Sequence, residues 1–533
     1  KHPSYFCLLT MSGTAASPSS STRTTTGASS STAIATRSNK TKRGTVVRTG
    51  ASSNNSFFTN AIDFLTTTMS STSSKKKRIT NATVVEVDGS NAPSWKDLER
   101  IATDLKKKHD IPETIDLEAG PTSPKCLKRT FGKTDEEIRV HFYRDHAGWC
   151  PYCETVWLLL EEKRIPYTVE KINMRCYGDK PQSFLKNVPS GMLPVVVIDG
   201  VFMTESAVIQ EALETKFSDV ASYPAMLPPN ESSEAQTLFR LERKLFSNWM
   251  QWLTGNWNDA ASRATFCETL DEVDLRLSET VDSPYFLNSG FSLVDIKFAP
   301  FLERMAASLL YYKGLRIEGS KRWPHIDNWF ANMSNRPTFR MIRSDYFTHV
   351  HDLPPQLGGC VENNTQEQID AMSAINGRDG KSWQLPLPPL NESSLEPLWE
   401  KENPERDRLE AAIQLLSNYE NVSRFACRGA SATPSKKRVS APLSDPFATP
   451  NEDYVEAVDV ALRTVAAMLL RTDNSDIPQG CENVLGTNAS QVTKKNVSLS
   501  LEYLRDRVGV PRDMRMPAAR QLRSHLNFAI SHL

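Results

Sequence analysis

The tetrapeptide Cys150-Pro151-Tyr152-Cys153 sits where an alternating apolar segment gives way to a helical one. Ile138, Val140 and Phe142 fall on one face, as a half-buried strand requires. Val156, Leu159, Leu160 and Lys163, with Trp157 alongside, recur at helical spacing until Pro166 stops the helix. A dithiol at a strand-to-helix junction points to redox chemistry. Cys150 falls at the helix N-cap, where unpaired backbone N–H groups and the positive end of the helix dipole favour a thiolate. Pro151 suits the first helical position, whose N–H has no intrahelical partner to lose. In such a setting a cysteine pKa drops from roughly 8.5 into the range of about 3.5 to 7.5, so Cys150 is expected to be a nucleophile at neutral pH. The rival readings are two inert thiols and a structural zinc site, for which no second C-x-x-C supplies the remaining ligands.

Downstream, 167–172 reads as a second strand and 181–187 as a short helix. Leu193-Pro194 then feeds the β-branched run Val195-Val196-Val197-Ile198, and a proline is tolerated where a strand opens. Asp199-Gly200 is a two-residue hairpin signal, with Val201-Phe202-Met203 as the returning strand. Thr204-Glu205-Ser206 opens a helix, with Ser206 as its expected cap and Val208, Ile209, Ala212 and Leu213 on its inner face. Strand, helix, strand, helix, hairpin, helix is the thioredoxin-like order.

These motifs, together with Phe291-Ser292-Leu293-Val294-Asp295-Ile296-Lys297-Phe298-Ala299-Pro300, make residues 137–350 resemble the glutathione transferase superfamily, in particular its cysteine-type members of the omega and dehydroascorbate reductase classes. The active site is glutaredoxin-like. The resemblance implies an α/β thioredoxin-like domain followed by an all-α glutathione-transferase-type domain, with a further helical extension at the C-terminus. Leu193-Pro194 matches the family's cis-proline, whose preceding residue offers its backbone to the cysteinyl part of glutathione. Glu205-Ser206 matches the pair that holds the γ-glutamyl end, where the free N–H groups of a helix receive the carboxylate. Ser292 and Asp295 form a capping box at the start of an apolar helix, a structural signature that glutaredoxins and thioredoxins lack.

Some positions depart from the family. The loop 144–149 is longer than in most relatives, and Met192 replaces a basic residue, leaving Arg175, Lys180 or Lys186 to meet the glycine end of glutathione. No tyrosine or serine stands where conjugating transferases keep the hydroxyl that activates glutathione. A cysteine there forms a disulfide with glutathione rather than ionising it, so thiol exchange is expected over conjugation. The implied activity is reduction of glutathione mixed disulfides or small oxidised substrates, with glutathione as cosubstrate and no metal. Cys150 is the catalytic nucleophile, and Cys153 or a second glutathione releases the adduct. The alternative is a non-catalytic binding or assembly module acting through a protein partner on the C-terminal helices; a homodimer is compatible with either.

Composition fits a multi-domain protein. The 533 residues are 39% hydrophobic and 24% charged, and sixty-three basic residues balance sixty-three acidic ones, which gives no support for a nucleic-acid partner. No run of about 18 uncharged apolar residues suggests a membrane span. Nine cysteines at irregular spacing suggest a reducing compartment, and His146, His325 and His349 show no metal-binding pattern. Before Asp63 there is no acidic residue, while Ser, Thr and scattered Arg and Lys dominate, the composition of an organellar transit peptide. Plastid is expected, with mitochondrion, or the cytoplasm for a form starting at Met69, as alternatives.

The expected partition is a disordered, transit-peptide-like arm (1–80), a charged, partly helical lead-in (81–136), the thioredoxin-like domain (137–218), the helical domain (230–353), a linker with one helix (354–450) and a helical extension (451–533). In the helical domain Trp249, Trp252, Trp257, Phe246, Tyr311 and Tyr312 serve as pocket lining or core. Few contacts are expected to cross the connector 424–450, so a chain ending there should keep the transferase unit.

Overall fold

The computed structural model describes residues 92–112, 116–255, 258–391, 394–397, 403–431, 442–472, 483–486 and 488–533. The arm 1–80, Trp257 and Cys481 lie outside the described residues.

Five strands form one sheet: β1 (Lys128–Arg129), β2 (Val140–Asp145), β3 (Tyr167–Ile172), β4 (Val195–Ile198) and β5 (Val201–Thr204), in the order β1-β3-β2-β4-β5. β2 and β3 are parallel and joined by the helix Pro151–Glu162; every other pairing is antiparallel. Alternation along β2 buries Val140 and Phe142 and leaves His141 and Tyr143 half-buried, as the sequence pattern requires. Asp199 and Gly200 both take positive φ, the geometry a tight β4–β5 hairpin needs. The two-residue edge strand β1 has no sequence signal. It is held because Arg129 reaches the buried Glu161 at 3.1 Å, which also accepts from the Tyr167 hydroxyl at 2.6 Å. On the helix Ser206–Lys216, Ile209 and Leu213 point inward, but Val208 is 51% exposed rather than on the inner face.

The helical domain contains Ser232–Thr254, Asp259–Ser278, Leu293–Lys313, Pro324–Ser334, Pro337–Ile342 and Tyr346–Leu357. Its central helix starts with the capping box: Asp295 accepts from the Ser292 N–H at 2.9 Å and Ser292 Oγ from the Val294 N–H at 3.2 Å. Trp329 Nε1 donates to the other Asp295 oxygen at 2.9 Å, which ties the cap to the helix Pro324–Ser334. Leu293–Lys313 is buried along nearly its whole length, so it serves as the axis of this domain.

Residues 354–450, expected as a linker with one helix, hold Gln366–Ile375, Pro404–Leu416 and Tyr419–Ala426. The last two do not link. With Val455–Leu469, Gln491–Arg505, Met516–Ser531 and the lead-in helix Trp95–Lys108 they enclose a second apolar core, to which Leu98 and Leu105 belong together with residues such as Leu409, Leu462 and Leu526. Trp95 Nε1 donates to Asp459 at 2.8 Å, and the Trp95 ring stacks on Tyr419 at 4.6 Å. Contacts also cross from this core to the transferase domains, contrary to the expectation of an insulated connector. Arg523 pairs with Asp345 at 2.5 Å with both side chains buried, and Asn527 donates to the Trp383 carbonyl at 3.0 Å. Among the described residues no helix is long and apolar enough to cross a membrane.

Candidate active site

β2 carries the chain into the site and the helix Pro151–Glu162 carries it out. Cys150 is the extended N-cap residue and Pro151 the first helical residue. The Cys153 N–H donates to Cys150 Sγ at 3.4 Å, so the sulfur occupies the place of a capping oxygen. Both cysteines are free thiols. Both are buried, Cys150 at 8% exposure and Cys153 at 1%, so Cys150 is the more exposed of the two. Burial, and after it the neighbouring Cys150, pushes the Cys153 thiol well above its ordinary pKa, keeping it protonated.

Asp145, the last residue of β2, is fully buried, and its carboxylate and the two sulfurs all lie within 4.8 Å of one another. One of its oxygens accepts from the Trp149 N–H at 2.7 Å; the other has no hydrogen-bond partner among the described residues. Sequence reading passed over this residue, and the available signal was weak: a charged residue ending an otherwise inward-facing strand. The same trio could hold a metal, but three donors leave a structural zinc site one protein ligand short.

Arg304 from the helix Leu293–Lys313 is also buried. Its Nη2 donates to the Trp149 carbonyl at 2.8 Å and its Nη1 to Glu154 at 2.9 Å and Glu303 at 2.7 Å. His349 lies 3.3 Å from Glu303. Burial pushes Glu154 upward and Glu303 up to about 7, while the single guanidinium acts against both shifts. This cluster joins the helical domain to the chain segment entering Cys150. Nothing in the sequence distinguishes Arg304 from a surface arginine.

Among the residues expected to hold glutathione, the Leu193–Pro194 peptide bond is cis, Pro194 is buried and Leu193 half-buried. Glu205 is exposed at φ +66°, a strained conformation for a non-glycine residue. Ser206 is the first residue of the helix Ser206–Lys216 rather than its cap; Glu205 holds the cap position and makes no side-chain capping bond. Of the three cations named as substitutes for a basic residue at Met192, Arg175 and Lys186 are exposed. Lys180 is half-buried: desolvation lowers its pKa, and the charges of Cys153, Cys150 and Asp145 oppose the shift, so of the three it is the one that feels the charge of both thiols.

Tyr152 meets Phe301 edge-on at 5.6 Å, Phe301 meets Phe246 at 5.2 Å, and Arg243 lies 4.3 Å over Phe246. Among the aromatic residues named for this region, Phe246 is half-buried beside the site, whereas Trp249, Trp252, Tyr311 and Tyr312 are buried core. His325 is exposed, and burial pushes His146 down to about 3.

Residues 149–216 match the family model described as glutathione S-transferase, N-terminal domain, and residues 256–332 the one described as glutathione S-transferase, C-terminal domain. Glutathione S-transferase DHAR2 of Arabidopsis thaliana is 30% identical over 200 residues, 38% of this chain and 86% of its own length. The chloroplastic glutathione S-transferase DHAR3 of the same plant is 27% identical over 212 residues, 40% of this chain and 76% of its own. A crystal structure of dehydroascorbate reductase from Chlamydomonas reinhardtii aligns with 39% of this chain and 94% of its own at 23% identity, with a TM-score of 0.32. The chain belongs to the glutathione S-transferase family. Its sheet domain is thioredoxin-like, its second domain is the family's helical one, and further helices follow at the C-terminus.

Proposed function

We propose that this chain is a glutathione-dependent thiol-disulfide oxidoreductase that reduces glutathione mixed disulfides or small oxidised substrates through Cys150. The observation that supports it best is the pairing of an N-cap thiol, the more exposed of the two, with a fully buried, protonated thiol three residues on. Glutathione is seated by the Leu193 backbone before the cis-proline Pro194, by Glu205 and the first turn at Ser206, and by Lys180 at its glycine carboxylate. The Cys150 thiolate attacks the glutathione sulfur of a mixed disulfide, forming a Cys150-glutathione disulfide and expelling the acceptor thiolate, which takes a proton from water. A second glutathione thiolate then attacks the bound glutathione sulfur, giving oxidised glutathione and the free Cys150 thiolate. In the slower branch Cys153 gives its proton to the Asp145 carboxylate and attacks Cys150, expelling glutathione and leaving a Cys150–Cys153 disulfide for two further glutathiones to reduce. Tyr152, Phe246, Phe301 and Arg243 form the acceptor side.

Cys150→Ser should abolish turnover of the glutathione mixed disulfide of 2-mercaptoethanol and of dehydroascorbate, because a hydroxyl stays protonated where a thiolate is required. Cys153→Ser should retain most of that turnover and lose reduction of protein disulfides. Full activity in Cys150→Ser would overturn the mechanism. A wild-type protein that is retained on immobilised glutathione but turns over nothing would be a binding module instead.

The proposed compartment is the plastid. The acid-free arm supports it, and one relative is described as chloroplastic, although a rice relative is described as cytosolic. The mature N-terminus, read by mass spectrometry, should fall well after the arm; a mature chain still beginning near Met11 would end this reading.

A further inference from the structure

Trp149, the residue before the nucleophile, is fully buried, and each of its polar groups is held by a different part of the molecule. Asp145 of the sheet domain takes its N–H at 2.7 Å, Arg304 of the helical domain takes its carbonyl at 2.8 Å, and the Val510 carbonyl takes its indole N–H at 2.9 Å. Val510 lies in the segment between the helices Gln491–Arg505 and Met516–Ser531, outside both matched family segments.

This segment is closely fitted to the loop. A Cβ added at Gly509 would stand 2.5 Å from a Trp149 ring carbon, so only glycine fits there, and one at Gly148 would meet Pro511 at 3.4 Å. The Arg512 guanidinium lies 4.8 Å from the centre of the Trp149 ring. From the other side the Val510 N–H donates to Thr348 Oγ1 at 3.0 Å, and the Ser344 hydroxyl donates to the Val510 carbonyl. Val508 to Pro511 are buried. The segment is thus wedged between the Cys150 loop and the helix Tyr346–Leu357.

We propose that residues 508–513 are a positioning strap for catalysis: through Trp149 they fix the backbone entering Cys150, so that the C-terminal extension helps to set the line of attack of the nucleophile. Trp149 is a positioning residue, since it acts through its neighbour and not on the substrate. The inference rests on Cys150 being the nucleophile. A displacement of about 1 Å in a reacting group costs up to 10²-fold in rate. The strap reaches Trp149 and not Leu193, Glu205 or Ser206, so its effect should fall on kcat rather than on the KM for glutathione.

The test uses the full chain, with the glutathione mixed disulfide of 2-mercaptoethanol as substrate and iodoacetamide as a probe of Cys150. Gly509→Ala pushes the strap against the ring; Trp149→Phe keeps a ring and deletes the bond to Val510. Both should lower kcat and the alkylation rate about tenfold while the KM for glutathione stays within about twofold. Leu526→Ala, a cavity in the second core at a residue outside the strap, should lower the melting temperature and leave kcat unchanged. If Gly509→Ala does not fold, Trp149→Phe decides alone. Wild-type kcat and alkylation in Trp149→Phe would overturn the proposal, as would an equal loss of kcat in Leu526→Ala, which would make the effect one of stability only. Failure of the nucleophile assignment looks different: Cys150→Ser would then keep its turnover.

Discussion

The sheet domain and the second helical core are built in opposite ways. In the sheet domain consecutive elements pair: β2 runs through one helix into β3, and β4 turns directly into β5. In the second core segments far apart in sequence meet, as the bond from Trp95 to Asp459 across 364 positions shows. Short-range pairing announces itself in sequence through turns and alternation. Closure over such distances leaves no local trace, because any amphipathic helix presents the same stripe to whatever partner it finds. The two regions are nevertheless joined through Trp149 with Val510, and the helical transferase domain is joined to the second core through Asp345 with Arg523.

The harshest way to break this comparison is to separate the regions. Deleting residues 424–533 strips the helix Pro404–Leu416 of its partners, leaves Asp345 buried without its cation and opens the Trp149 pocket. The apolar burial lost is of the same order as the roughly 5–15 kcal/mol that stabilises a domain. The truncated chain should be insoluble or lack turnover by sedimentation and assay. A soluble, fully active truncation would show that the transferase domains stand alone and that the second core is a passenger.

A milder break targets one crossing. Arg523→Met removes the cation from a pair in which both side chains are buried, so the desolvated Asp345 carboxylate loses its counter-charge and keeps the Thr348 N–H donor at 2.9 Å. The cost should be about 3–5 kcal/mol in urea unfolding. Adding Asp345→Asn should recover much of it, since the penalty lies mostly in the orphaned charge. Additive losses in the double variant would mean that the two side chains act separately.

What could be read in advance follows the same division. Cys150 with Pro151, the Asp199-Gly200 turn and the Ser292/Asp295 box were legible because each needs only neighbours within four residues. Asp145 and Arg304 were not named as site residues, and Lys180 only as one of three candidate cations, because their importance lies in facing a thiol or a backbone carbonyl supplied by another element. Gly509 is the sharpest case. A lone glycine between helices reads as a loop residue, yet its missing side chain is the space filled by the Trp149 ring.

Acid should also discriminate between the regions. Burial, and after it the charge of Arg471, holds His525 in the second core down at about 3 from an ordinary 6.5, so the folded state keeps it neutral. Its contribution to stability is full above pH 6.5 and is lost as pH falls from there toward 3, because only the unfolded chain takes up the proton. By pH 5 the loss is about 2 kcal/mol. In the transferase domains Asp352 and Glu242, pushed up to about 7 by burial, act with the opposite sign: their contribution is full below the ordinary carboxylate range and lost as pH rises through 7. His146 adds to the acid loss in the sheet domain, so the comparison is made as wild type minus variant. His525→Gln should lose less stability than wild type between pH 7 and 5 in urea titrations. Parallel pH curves would mean that His525 is protonated in the folded state.

The smallest effect on stability is expected inside the legible half, at Ser206. Were it the helix cap, Ser206→Ala would cost about 0.5–2 kcal/mol. Glu205 holds that position without a side-chain bond, and Ser206 is the first helical residue, half-exposed, one position past the place from which a side chain caps a helix. The substitution should therefore change stability by less than about 0.5 kcal/mol, as surface changes do. The same hydroxyl stands where the γ-glutamyl carboxylate of glutathione would be received, so the KM for glutathione should rise severalfold with kcat held. Thermal unfolding and steady-state kinetics on one preparation separate the two roles. A stability loss above 1 kcal/mol with unchanged KM would restore Ser206 as a cap and remove it from the glutathione site.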